Sequence, residues 1–163
     1  MEEILKKRGY CIVDPTNIWS ISAKALSMQQ ITPVTAFSIF PPLAIQREIW
    51  TANGIDASRI EIMDRVKTPK TTIFGRINAK PAASAFVAVS NKIAMVHSLI
   101  VDHKFQRQGM GKHIMHKVGV WAHQQRAESV VVLCTKQNQS ANNFYKILGM
   151  KVIGEYHYRL FKT

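Results

Sequence analysis

Acidic side chains are scarce where this chain is most basic. Residues 65–163 hold three Asp or Glu against sixteen Lys or Arg, whereas residues 1–64 hold seven against six. So lopsided a charge points to an anionic partner, a phosphate-bearing ligand or nucleic acid, or else to a basic, solvated surface. Cysteine is nearly missing too. Cys11 and Cys134 stand far apart in apolar, strand-like stretches, which argues against a disulfide scaffold and fits buried reduced thiols. No apolar run approaches the roughly 20 residues of a membrane helix, and the opening MEEILKKRGY has no apolar signal core. The expectation is therefore a cytoplasmic chain with no membrane partner. What the chain does have is 163 residues, 47% hydrophobic and 20% charged. That excludes disordered and fibrous classes and is enough for one core.

Periodicity orders the elements. Ile4 to Arg8 reads as a helix end stopped by Gly9, and Tyr10 to Val13 as a short strand before the Asp14-Pro15 break. Ile18 to Leu26 fits either element. Pro33 to Phe40 predicts a strand, Leu43 to Asn53 a helix closed by Gly54, and the stretch capped by Asp56 or Ser58 a second helix to Val66. Thr71 to Asn78, Ala83 to Ser90 and Ile93 to Val101 read as a strand meander, with its first turn at Lys80-Pro81 and its second at Ser90-Asn91-Lys92. Apolar spacing then turns helical over Gly109 to Arg126, with Met110, Ile114, Met115, Val118 and Trp121 on one face. Ser129 to Thr135 is a β-branched run of the kind buried on both faces. A helix over Ser140 to Leu148, closed by Gly149, and a strand over Lys151 to Phe161 complete an α/β order, β-α-α-β-β-β-α-β-α-β. LKKRGYCIVD (Leu5 to Asp14) and YKILGMKVIG (Tyr145 to Gly154) share a helix, Gly, strand layout. That likeness admits two readings, a duplication or a recurrent helix-to-strand junction.

The segment most specific for chemistry is Gln106 to Lys112, QRQGMGK, between a strand and a helix. Two glycines at spacing two let the backbone turn tightly, and the helix that follows offers unpaired N–H groups and a positive dipole end to an anion. A P-loop is excluded, since Gln106 stands five before Gly111 where glycine is needed and His113 follows Lys112. The dinucleotide fingerprint is excluded as well, because Ile114 stands at its third glycine.

What remains, Gln106, Gly109 and Gly111 in QxxGxG, resembles the acyl-CoA signature of the GNAT superfamily of N-acetyltransferases. Asn138 to Met150, NQSANNFYKILGM, resembles the family's NxxAxx[LF]YxxxGF helix, with Met150 replacing Phe. The element order is also similar. The resemblance covers roughly residues 32–160 and implies a GNAT-like mixed central sheet with helices on both faces. It makes 31–163 the acetyltransferase domain and 1–30 a helix-strand extension, a remnant of a first module if the duplication is real. It implies acetyl-CoA as donor. The cofactor would be bound by the strand Leu99, Ile100 and Val101, by Gln106, Arg107, Gln108, Gly109, Met110, Gly111 and Lys112, and by Asn138, Ala141 and Asn142. Tyr145 would be the general acid at the thioester sulfur.

Asn138, Ala141, Asn142 and Tyr145 lie at i, i+3, i+4 and i+7, so one helix face carries them. For the base, His97 is the candidate, since its ordinary pKa of about 6.5 suits proton removal near neutrality. Period two would place it on the face of Leu99 and Val101, and a core histidine is the competing reading. His113 and His116 lack a third ligand at metal spacing. Phe40, Trp50, Tyr156 and Tyr158 are candidate walls of the acceptor site or else core. The chain is short after Gly154, so the seventh strand of many members is expected from a second subunit, in a homodimer, or is absent. Three functions follow: acetyl transfer to a primary amine of a small molecule, amino acid or peptide; acetylation of an RNA-borne amine such as an aminoacyl-tRNA; or a noncatalytic CoA-binding or nucleic-acid-binding module.

Overall fold

The computed structural model describes residues 2–29 and 35–161. The chain forms two compact units, Ile21–Val131 and a terminal unit of Met1–Ser20 with Val132–Thr163. The α/β class and the element order hold. In chain order the elements are α1 (Glu2–Lys7), β1 (Tyr10–Ser22), α2 (Ala23–Ser27), β2 (Ala36–Ile39), α3 (Ala44–Ala52), α4 (Ala57–Arg65) and β3 (Lys70–Ile77). Then come β4 (Lys80–Ser90), β5 (Ile93–Val101), α5 (Met110–Gln124), β6 (Ser129–Thr135), α6 (Gln139–Ile147) and β7 (Lys151–Phe161). The boundary expected between residues 30 and 31, and the strand start at Pro33, lie outside the described residues.

The unit Ile21–Val131, here the loop unit, is built on an antiparallel meander, β2-β3-β4-β5. Residue alternation assigns its two faces. Ser84, Phe86 and Ala88 share one face of β4, where Phe86 packs with Trp50 of α3 and with Ile60 and Met63 of α4. Ala83, Ala85 and Val87 line the other face, under α5. There Gly75 pairs with Ala83, and a Cβ at Gly75 would come within 2.5 Å of the Met110 sulfur. Removing that side chain is what lets α5 lie close, and Met110, Ile114, Met115 and Val118 are fully buried beneath it. Each of the large apolar side chains so buried contributes about 1.5–3 kcal/mol.

One turn differs from expectation. Asn78 and Ala79 both have positive φ, 48° and 63°, so they make the two-residue hairpin turn. Lys80 and Pro81 belong to β4 instead. Pro81 faces Arg76 at the register shift after Gly75, the kind of irregularity where a strand tolerates a missing N–H.

The terminal unit has strand order β6-β1-β7. Here two further expectations are corrected. Asp14-Pro15 does not end the first strand, because β1 runs on to Ser22 and absorbs the pair as a bulge between Val13 and Thr16, with Asp14 at φ 48°. The Pro15 carbonyl is still used, accepting from the Lys136 N–H at 2.7 Å. A seventh strand is supplied by the chain itself, since β1 lies between β6 and β7. The α1–Gly9–β1 and α6–Gly149–β7 junctions share one geometry, both glycines lying at φ 84°, and their strands pair antiparallel. Among the described residues no helix is long and apolar enough to cross a membrane.

Candidate active site

The loop unit holds Gln106 to Lys112. Its strand β5 carries one extra residue against β4: Phe86 faces His97, yet Ser84 faces Ile100. Ser98, at φ 51°, marks this bulge, and its carbonyl accepts from the Trp50 indole at 2.9 Å. Trp50 is a core residue, 0% exposed. The bulge also moves His97 from the face that strict alternation gave it. His97 shares its side of the sheet with Ile100, Phe86 and the helices α3 and α4, while Val101, paired with Ala83, points to the α5 side.

After β5 a short 3₁₀ turn, His103–Phe105, leads into the loop. Three side chains shape it. Asp102 accepts from the Lys104 N–H at 2.9 Å, Gln106 donates to the Val101 carbonyl at 3.2 Å, and Gln108 donates to the Lys104 carbonyl at 3.1 Å. Arg107 at φ 62° and Gly109 at φ 81° are both left-handed, and Gly109 is the residue that opens α5. Its carbonyl is taken by the Lys112 and His113 N–H groups at 3.0 and 3.2 Å. Among the described residues, the N–H groups of Gln108, Gly109, Met110 and Gly111 find no acceptor. Four free donors at a positive helix end have the geometry that suits an anion. Met110 offers only its main chain here, since its side chain is buried at 1% exposure. Arg107 and Lys112 are exposed. Beside the loop a cleft of about 410 Å³ is lined by Arg76, Asn78, Gln108 and His113 among others. His113 meets the Thr35 hydroxyl through Nδ1 at 3.1 Å.

His97 itself stacks obliquely on Phe86, with ring centroids 6.3 Å apart. Desolvation, and then the Arg59 charge, push its pKa below the ordinary value. The imidazole is therefore held neutral, the state in which it accepts a proton.

The terminal unit holds the second motif. Asn138 caps α6, its side chain accepting from the Ala141 N–H at 3.0 Å. Asn142 lies one turn on and Tyr145 a further turn. The Tyr145 ring is packed between Trp19 and Phe144, at 6.2 and 5.3 Å between centroids, and the residue is 6% exposed. Its hydroxyl makes no hydrogen bond within the described residues. Burial, with a contribution from the Cys134 thiol, pushes the phenol well above its ordinary pKa, so it stays protonated. A locked ring with an uncommitted O–H has the form of a proton donor.

Thus the expected residues divide between the units. His97, Leu99 to Val101 and Gln106 to Lys112 are gathered in the loop unit, and Asn138, Ala141, Asn142 and Tyr145 in the terminal one. Arg59 and Trp19, which now border His97 and Tyr145, carried no signal in the sequence, since each is brought to its neighbour by the fold alone. Tyr156 and Tyr158 pack edge to face at 5.6 Å, with Tyr158 59% exposed.

Comparison with known proteins follows the same lines. The acetyltransferase (GNAT) family model matches residues 42–150. A functionally unknown conserved protein from Staphylococcus epidermidis is similar at 18% identity and a TM-score of 0.73, over 99% of this chain and 67% of its own. A GCN5-related N-acetyltransferase from Kribbella flavida is similar at 18% identity and 0.70, over 98% of this chain and 62% of its own. The ribosomal-protein-S18-alanine N-acetyltransferase from Escherichia coli is similar at 20% and 0.60, over 71% of this chain and 76% of its own. At such identities these likenesses speak to the fold. No curated protein matches the sequence.

Proposed function

Because the chain belongs to the GNAT acetyltransferase family, we propose that it transfers acetyl from acetyl-CoA directly to a primary amine of a small molecule, amino acid or peptide. The observation that carries this reading is the set of four unpaired N–H groups at Gln108 to Gly111, ordered by left-handed Arg107 and Gly109. Such a cradle suits the donor's pyrophosphate. Leu99 to Val101 supply main chain to the donor's pantetheine arm, and Lys112 and Arg107 add charge. Asn138 and Ala141 contribute from α6.

In the reaction a neutral amine attacks the thioester carbonyl. A C–N bond forms, the C–S bond breaks, one proton leaves nitrogen and one reaches sulfur. His97 receives the first and Tyr145 gives the second. No covalent enzyme intermediate is needed. Free-thiol release from acetyl-CoA, followed across amines, amino acids, peptides and an alanine-ended ribosomal peptide, tests the proposal. Failure to bind acetyl-CoA by titration calorimetry would refute it.

A second reading, with the acceptor amine carried on RNA, is favoured by the exposed cations Lys104, Arg107 and Lys112 around the cradle. It requires RNA binding that weakens steeply as salt rises. Absence of binding at low salt removes it.

A further inference from the structure

Asn142, in the terminal unit, makes four side-chain hydrogen bonds. Its Oδ1 accepts from the Asn17 amide at 3.0 Å and from the Trp19 indole at 2.9 Å. Its Nδ2 donates to the Thr135 and Asn138 carbonyls, both at 2.8 Å. Two donors and two lone pairs are thus all used. The orientation of the amide follows from its neighbours' chemistry, because an indole only donates and carbonyls only accept. A side chain so committed has nothing left for a ligand, which removes Asn142 from the groups that touch the donor directly.

Its partners come from β1, more than 120 residues away in sequence and outside the family match at 42–150. Their placement depends on strand geometry. Asn17, Ile18 and Trp19 face Glu155, Gly154 and Val152, so the extra residue at that register shift, Ile153, belongs to β7. Alternation along β1 is therefore intact, and Asn17 and Trp19 project from one face. Trp19, 7% exposed, then does two things. Its N–H fixes Asn142, and its ring lies 6.2 Å from the Tyr145 ring at 44°.

We infer that Asn17 and Trp19 are positioning residues for the proton donor Tyr145. Through Asn142 they set the rotation of α6 about its axis, one turn before Tyr145, and Trp19 holds the phenol ring by direct contact. The inference rests on the general-acid role proposed for Tyr145. Small displacements of a reacting group are costly, on the order of 10²-fold for 1 Å, so a helix that carries such a group gains from being pinned on both sides of its first turn.

The test is a double-mutant cycle on the full chain. Trp19→Phe keeps a ring and deletes the N–H; Asn17→Ala, the milder change, removes one of the two bonds to Asn142 Oδ1 and serves if Trp19→Phe melts early. Each is made alone and in a Tyr145→Phe background, with kcat and the KM for acetyl-CoA measured separately. The expected result is a fall in kcat of roughly ten- to a hundredfold for Trp19→Phe. KM should stay within about twofold, and there should be little further loss once Tyr145 is already Phe. A merely structural role predicts the same fractional loss in both backgrounds, and that outcome, or an unchanged kcat, overturns the inference. If Tyr145→Phe itself keeps full kcat, the general-acid reading has failed and the positioning role fails with it. A slow Tyr145→Phe with additive partners condemns the positioning role alone.

Discussion

The two units build their motifs from different parts of the chain. In the loop unit the groups proposed to meet the donor are main-chain N–H donors, presented by two left-handed residues, and the nearby side chains of Gln106 and Gln108 are turned inward to brace the loop. In the terminal unit the proposed proton donor is one side chain, Tyr145, and the main chain of α6 is ordinary helix, with Asn142 bonded to Asn17 and Trp19. A backbone site depends on conformation and tolerates exchange of its side chains. A side-chain site depends on identity and on packing. The difference explains why two motifs of similar length leave such different marks on the sequence.

The largest effect expected from breaking this contrast is at Gly109. At φ 81° a β-branched residue is strained by more than the 1–2 kcal/mol of an ordinary L-residue, although the added Cβ would meet nothing nearer than His113 at 3.9 Å. Gly109→Val should abolish acetyl-CoA binding by calorimetry while the fold survives, as read by far-UV circular dichroism. Unchanged affinity would show that the cradle is not built from backbone.

Tyr145→Phe comes next. It should lower kcat by about 10²–10³-fold, within the usual range for a lost general acid, and leave the KM for acetyl-CoA nearly unchanged. Since the folded phenol titrates above its ordinary value, the wild-type rate should show no alkaline limb from this group below about pH 10. A limb near pH 8 or 9 that vanishes in the Phe variant would contradict the burial argument.

A smaller effect concerns His97. Its depressed pKa means the neutral base persists to lower pH, so the acid limb of kcat/KM should fall below the ordinary histidine value of about 6.5. Arg59→Ala removes the lesser of the two causes, and the limb should move upward. A limb that stays put under this change would separate His97 from the reaction. The smallest effect is expected at Lys112, whose side chain is exposed. Lys112→Ala should weaken acetyl-CoA binding only two- to threefold, as an exposed ion pair contributes about 0–1 kcal/mol.

Much of this was legible before any coordinates. Ser129–Thr135 begins and ends where its β-branched run does, and α5 follows the apolar spacing from Met110. The loop was legible because glycine spacing encodes backbone shape locally. Errors arose where a local signal was outweighed by pairing across the sheet. Asp14-Pro15 is a strong break signal, but β7 pairs on both sides of it and the strand accommodates it as a bulge. Period two placed His97 beside Leu99, and one extra residue at Ser98 reversed that assignment. Trp50 and Trp19 are alike as letters, yet one indole closes the β5 bulge and the other fixes α6.

By itself, then, the sequence determined the order of elements, the tight turn at Gln106 to Lys112 and the helix that carries Tyr145, because each rests on contacts within a few residues. Only the tertiary structure decided that β1 lies between β6 and β7, that His97 faces α3 and α4, and that Asn17 and Trp19 reach Asn142. Those outcomes depend on strand register and bulges, which are set by partners far away in the chain and leave no periodic trace in it.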